Sequence, residues 1–351
     1  MSDSTTGAGA ETRSNAGANA RKAKILIFAV AVLLVVAVGA GAWAVLGRST
    51  KRAGVEGGFA IDSGYLTYRT TVQGPDYGKI VELPLTALHA ATQPPTVSAI
   101  KCERSYTAAG ILLCLQSEGD VVSMPYAEVY DSSRNQIKKL AITGMPNRAR
   151  LSADGRMASW TTFVSGDSYT GPAFSTRTSI LDLKTNSYTD TLESFTPTVD
   201  GQPYKAVDIN YWGVTFTADD NTFYATMGSN GITRLMHGDL AAHTLAAVTT
   251  DVECPSLSPD GTRVVYKKRV SGDVRKPWRL EVLDLATLTE TPLAEPQSID
   301  DQAAWLDGHT VMYALPHPND PGYDLWSVAA DGTGHSSLLA KDGFSPSVTS
   351  G

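Results

Sequence analysis

Two hydrophobic patterns divide the chain. From Ile25 to Gly47 run 23 residues without one charged side chain, rich in Val, Ile, Leu and Ala. As a helix at ~1.5 Å per residue such a run reaches roughly 34 Å, enough to cross a ~30 Å hydrocarbon layer. A helix is also the single-segment arrangement that satisfies every backbone group in lipid. The pattern predicts one transmembrane helix over 25–47, after a disordered tail over 1–24 and before a linker over 48–57. Ala40-Gly41-Ala42 has the small residues of a signal-peptide cleavage site, but the apolar stretch exceeds the ~7–15 residues of a secretory signal, so an uncleaved anchor is expected.

Beyond residue 58 the pattern becomes short alternating runs punctuated by turns. Pro255-Ser256-Leu257-Ser258-Pro259-Asp260-Gly261 followed by Thr262 to Tyr266 reads as strand, tight turn and strand ending in an aromatic, because Asp and Gly supply turn geometry. Related copies turn at Ser63, Ala109, Asp154, Asp219 and Asp307, giving spacings of 46, 45, 65, 41 and 47 residues. A further strand pair follows each hairpin, as in Ile80 to Leu83, Ser179 to Leu183 with Tyr188 to Leu192, Arg279 to Leu285 with Thr289 to Leu293, and Asp324 to Ala329 with Ser337 to Ala340.

Four strands in ~45 residues cannot bury both faces alone, so the copies must stack, and radial closure protects their edges. The fold expected is all-β: a six-bladed β-propeller over 58–351, behind the N-terminal transmembrane helix. The long interval implies an insertion around Glu193 to Tyr204, where Pro197, Asp200-Gly201 and Pro203 break the pattern. Phe344 to Val348 resembles Cys254 to Ser258, so the C-terminal strand is expected to close the first blade; Gly58 to Ile61 is the competing candidate.

The run around Asp260, with Leu280 to Leu285 after it, resembles the repeat of the TolB-like β-propellers. Only that blade matches closely; Ser63 and Ala109 replace the Asp in two others. The resemblance implies a TolB-like translocation protein of the membrane-anchored kind found in high-GC Gram-positive bacteria: an envelope protein that binds partners at its propeller surface and has no chemistry of its own. TolB itself carries an N-terminal α/β domain, which is not seen ahead of this propeller.

Charge sharpens the division. The chain of 351 residues has a net charge of −7, which separates into +5 over residues 1–52 and −12 over 53–351. An acidic globular part argues against a nucleic-acid binder. The flanks of the apolar run are both basic, so the positive-inside rule barely discriminates; a short tail inside and the large domain outside the cell membrane is the orientation expected. Cys102 and Cys114 flank Ala108 and would face each other across a hairpin centred there. A disulfide between them would suit an oxidising, extracytoplasmic compartment. Cys254 is left to fill core space.

Candidate chemistry is sparse. Asp154, Asp219, Asp260 with Gly261, and Asp307 are read as structural turn residues, since an EF-type calcium loop needs alternating carboxylates and a final Glu. The six histidines, His89, His237, His243, His309, His317 and His335, form no zinc-like pair. No nucleophile elbow or phosphate loop is present, so no catalytic residue, cofactor or metal is expected. Lys267, Lys268, Arg269, Arg275, Lys276, Trp278 and Arg279 place six of the outer region's 22 basic residues and a Trp in thirteen positions, a candidate partner-binding loop. The function expected is non-catalytic binding or scaffolding of other envelope proteins. The alternative is a carbohydrate-binding or carbohydrate-active propeller, for which glycoside hydrolysis would need two carboxylates ~5–9.5 Å apart.

Overall fold

The structure, a computed structural model, describes residues 61, 63–88, 94–119, 123–164 and 175–349. The tail, membrane helix and linker expected over 1–57 lie outside these residues. Among the described ones no helix is long and apolar enough to cross a membrane.

Among the described residues six sheets follow one another along the chain, antiparallel but for one pairing in the fourth. Blade one holds β1 (Tyr65–Thr70), β2 (Lys79–Pro84) and β3 (Thr96–Lys101), and blade two holds β4 (Arg104–Ala108), β5 (Ile111–Glu118), β6 (Met124–Tyr130) and β7 (Gln136–Ala141). Blade three comprises β8 (Met145–Leu151), β9 (Met157–Val164), β10 (Ser175–Asp182) and β11 (Tyr188–Thr189). The inserted segment forms β12 (Thr196–Val199) and β13 (Gln202–Pro203), and blade four proper is β14 (Asn210–Phe216), β15 (Thr222–Ser229), β16 (Ile232–Asp239) and β17 (Thr244–Thr250). Blade five is β18 (Glu253–Leu257), β19 (Arg263–Arg269), β20 (Trp278–Asp284) and β21 (Glu290–Pro292); blade six is β22 (Ala304–Trp305), β23 (Thr310–Pro316), β24 (Tyr323–Ala329) and β25 (Ser337–Ala340).

The last strand, β26 (Gly343–Val348), returns to blade one and pairs antiparallel with β1, Leu66 opposite Val348 and Thr70 opposite Gly343. It is the inner strand of that sheet. The inner strands β26, β4, β8, β14, β18 and β22 each touch the next, and β22 touches β26, so the ring is closed.

The insertion does more than interrupt a pattern. Its β12 runs parallel to β17, Thr196 opposite Thr244 and Thr198 opposite Ala246, and widens blade four to six strands. Leu192 and Phe195, fully or nearly buried between blades three and four, anchor it there. Its β13 is the outer edge, where Pro203 is tolerated because no further strand needs its missing N–H.

The core lies between blades rather than within them. Among the described residues six apolar clusters occupy the six junctions: Leu112 and Cys114 with Ile80 between blades one and two, Trp160 with Leu113 and Val129 between two and three, Tyr211 and Phe223 with Met157 between three and four. Tyr266 with Leu235, Tyr313 with Val265, and Leu66 with Met312 complete the circuit. The aromatic members, Tyr211, Trp160, Phe223, Tyr266 and Tyr313, are the largest fully buried side chains among the described residues. Strands sandwiched in this way lose their alternation; β9 reads MASWTTFV and is buried at seven of eight positions.

Candidate functional site: the channel and the front face

Every blade winds outward from its inner strand, so the six inner strands all begin on one face, the front, and end at the tight turns on the back. The back turns use the expected aspartates. Asp154, Asp219, Asp260 and Asp307 accept the backbone N–H two residues on, from Arg156 (3.0 Å), Asn221 (2.9 Å), Thr262 (3.0 Å) and His309 (2.7 Å). Hydrogen bonds from Ser258 and Thr262 hold the Asp260 carboxyl well below the usual range, and Gly261 supplies a left-handed φ of 71°. Partial burial works against charge on Asp219, yet donors from Thr222, Thr217 and Asn221 bring it down to about 2. In that turn Asp220 stands where Gly155 and Gly261 stand in others, with φ 55°. Burial and the nearby Asp154 carboxylate push the Asp220 carboxyl up.

The front of the channel is built differently. Four inner strands carry irregularities there: β8 at Asn147, β14 at Gly213, β18 around Cys254 and β26 at Ser345. Cys254 and Ser345 have φ of 51° and 54°. Such bulges re-aim carbonyls and side chains. Into this ring dips the crossing from β21 to β22, residues 293–303, where the crossings into β4, β18 and β26 take two residues each.

Four consecutive residues of that crossing reach four blades. Asp300 pairs with Lys267 of blade five. Asp301 takes Arg104 of blade two on one oxygen (2.7 Å) and Arg148 of blade three on the other (3.0 Å). Gln302 donates to the bulge carbonyls of Val214 (3.2 Å) and Pro255 (2.6 Å), from blades four and five. Ala303 accepts Arg150 of blade three at 3.2 Å. Burial opposes charge on Asp301, but the two guanidinium groups outweigh it and lower its carboxyl below the ordinary range. We call 300–303 the hub. The local sequence marks it only by the length of the connection from Leu293 to Ala303.

Beside the hub the front opens into a cleft of about 700 Å³ on blade four. Tyr211, Trp212, Ile232, Asp208, Glu253 and Arg269 are among its walls. Gly228 makes room for the indole: a Cβ there would lie 2.6 Å from the Trp212 ring. Asp208 is engaged by the Ser229 hydroxyl and the Asn230 N–H. Burial raises Glu253, against the opposing pull of Lys267 and Arg269.

The basic segment is not one continuous loop. Lys267, Lys268 and Arg269 end β19, while Trp278 and Arg279 begin β20, so only Arg275 and Lys276 lie in the loop between. Lys267 is buried against Glu253 and Asp300, Lys268 pairs with Glu290 and Glu281, and Arg279 pairs with Glu281. Arg269 lies 4.2 Å over the Trp278 ring, and Arg275 is near Asp273 at 3.5 Å. The strand simply continues past its aromatic, and neighbouring carboxylates pair with Lys267, Lys268, Arg275 and Arg279.

Cys102 and Cys114 are joined by a disulfide. They are not opposite residues of one hairpin. The turn is Ala109-Gly110, both with positive φ (46° and 75°), so Cys114 faces Ser105, and Cys102 sits in the crossing from blade one with its N–H on Gly78. Cys254 is buried, 3.6 Å from an Arg148 nitrogen. Of the described histidines, His317 shares a hydrogen bond of 2.9 Å with Asp324 and lies 4.0 Å from Asp342. Asp342 also donates its N–H to that Asp324 oxygen, so these groups satisfy one another beside the closing strand.

Neither a protein-family model nor a curated protein matches the chain. Among solved structures, TolB from Acinetobacter baumannii superimposes with a TM-score of 0.58 at 16% identity, over 82% of this chain and 67% of that one. The fold is that of a TolB-like propeller. A chain of a nidogen/laminin complex matches with a TM-score of 0.52 at 12% identity, over 81% of this chain and 98% of that one. At such identities the chain shares architecture with these proteins, and function has to be argued from its own surface.

Proposed function

We propose that this TolB-like propeller is a non-catalytic binding module, anchored in the cell membrane by residues 25–47 and displayed outside it, whose front face holds other envelope proteins. The observation that carries the reading is the division of labour on that face. The channel centre is occupied by the hub, whose carboxylates Asp300 and Asp301 are tied to Lys267, Arg104 and Arg148. The space for a ligand lies beside it, in the cleft with Tyr211 and Trp212. The partly exposed Trp212 on a rigid scaffold suits protein recognition. Carboxylates already paired with cations are poor general acids or nucleophiles for the glycosidase alternative.

Cysteines in place of exposed residues test this in intact cells with a membrane-impermeant thiol crosslinker. Val207 and Val274, 82% and 87% exposed, lie on the front, and Leu288, 44% exposed, lies on the back. Val207→Cys and Val274→Cys are expected to join the same discrete protein and Leu288→Cys none. No labelling at any position overturns the external placement; equal crosslinking front and back overturns binding at the front face.

A further inference from the structure

The channel contains more buried positive charge than its carboxylates match. Arg69, Arg148 and Arg150 are buried and Arg104 is partly so, its side chain 17% exposed. Arg104 and Arg148 share Asp301. Arg69 donates to the Glu103 carbonyl and stacks near Tyr77, and Arg150 donates to the Ala303 carbonyl and lies 4.4 Å over the Tyr106 ring. Carbonyls and rings satisfy geometry but cancel no charge. Arg104 reports the crowding: burial lowers its pKa, Arg148 and Arg69 add to that, and the opposing Asp301 does not restore it. Burial pulls on Arg148 in the same direction, but Asp301 and Cys254 face it, outweigh that burial and push it up instead, and it also donates to the Asn147 carbonyl.

Next to the hub lies a cavity of about 20 Å³. Its charged walls are Arg104, Arg148, Arg150 and Asp301, three cations against one anion. Three residues of the same wall carry buried polar atoms without a hydrogen-bond partner: Ser105 Oγ, Arg148 Nε and Arg150 Nε. A buried unpaired charge is costly unless something neutralises it. Unsatisfied donors around a cavity of one-water size ask for an acceptor. A water would accept from two of them and leave the charge excess untouched.

We infer that this cavity binds one small monovalent inorganic anion, chloride in a physiological medium, held by the Arg148 and Arg150 side chains between blades two and three and the hub. Size sets the class. About 20 Å³ of inner space suits a single atom-sized guest. The inference does not rest on what the front face binds.

The full chain in detergent micelles is melted in sodium chloride, sodium bromide, sodium gluconate and sodium sulfate at equal ionic strength. Chloride and bromide are expected to raise the melting temperature saturably by about 2–4 °C over gluconate and sulfate. Arg150→Gln is expected to melt alike in all four salts. Crystals grown in bromide supply the measurement that needs no variant, with an anomalous peak expected beside Arg148 and Arg150. Melting that follows ionic strength alone, an Arg150→Gln protein that keeps the halide shift, or a water without anomalous signal at the site would each overturn the inference.

Discussion

Arg148 and Asp301 meet at the centre of the ring, Nη1 of one 3.0 Å from Oδ1 of the other, although they belong to blade three and to the crossing into blade six. Arg104 of blade two holds the second oxygen at 2.7 Å. One carboxylate therefore joins three parts of the propeller. Asp301→Asn keeps the shape and removes the charge, leaving the buried Arg148 and the partly buried Arg104 guanidinium groups without their anion. Breaking a buried pair in this way costs roughly 3–5 kcal/mol. Urea unfolding measures it, and a loss under about 1 kcal/mol would show the hub to be dispensable.

The disulfide closes a short loop, Cys102 and Cys114 being 12 residues apart. In the loop-entropy picture that cross-link stabilises by about 3 kcal/mol, through the unfolded chain. Cys102→Ser is expected to lower the urea midpoint accordingly without changing the fold by circular dichroism. Because the bridge ties the crossing from blade one to the second strand of blade two, an unchanged midpoint would mean that this crossing is held by packing alone.

Asp220 carries two burdens, a left-handed φ of 55° and a carboxylate neighbour in Asp154. Asp220→Gly removes both. Its contact with Arg156, at 3.4 Å, is lost, but Arg156 keeps Asp182 at 2.6 Å. The left-handed conformation costs a side-chain-bearing residue about 1 kcal/mol, so the variant is expected to melt about 2–4 °C higher at pH 7. The sign of the pH dependence follows from the raised carboxyl. The fold disfavours its ionised form, a penalty absent below the unfolded value of ~3.9 and complete only above the raised folded value. The gain should therefore shrink as pH falls through 4; a gain that grows instead would contradict the proximity of the two carboxyls.

Asp219 tests the opposite sign. Its folded value near 2 is depressed, so its contribution is present above ~3.9 and is lost as pH falls toward 2. Asp219→Ala should flatten the acid limb of the melting curve between about pH 4 and pH 2 relative to the parent. An unaltered slope would remove Asp219 from the acid transition.

Gly238 lies opposite Phe223 in the β15–β16 pair, and a Cβ on it would overlap the ring. Gly238→Ala overpacks a fully buried site and is expected to destabilise by about 1–3 kcal/mol. Phe223→Leu in the same background should recover part of the loss in a thermal melt. Additive losses instead would locate the strain elsewhere.

The blade number and the closing strand could be read because turn chemistry repeats locally: Asp154, Asp219, Asp260 and Asp307 recur with an aromatic a few residues on, and those aromatics are the ones buried between blades. Alternation was a weaker guide. It survives in outer strands such as β3, exposed at every second position over Val97 to Lys101, and fades in β5 and β9, which have a blade on each side. The disulfide partners were legible and their register was not, because Ala109 adopts a left-handed φ that its side chain does not announce. The hub escaped notice for a different reason. Asp300, Asp301 and Gln302 look like any polar connection, and only the distant Arg104, Arg148 and Arg150 give them a role. The cleft likewise depends on an insertion that reads as broken pattern and folds as an added sheet edge.

Closure by β26 also orders events in time. Leu66 waits for Val348, the partner that the ribosome makes last among the described pairs. Until that strand emerges, β1 presents an unpaired edge and the junction of blades six and one stays unsealed. Nearly the whole propeller must then be held unfinished while it is synthesised, and whatever guards an open sheet edge against other chains has to act for that interval.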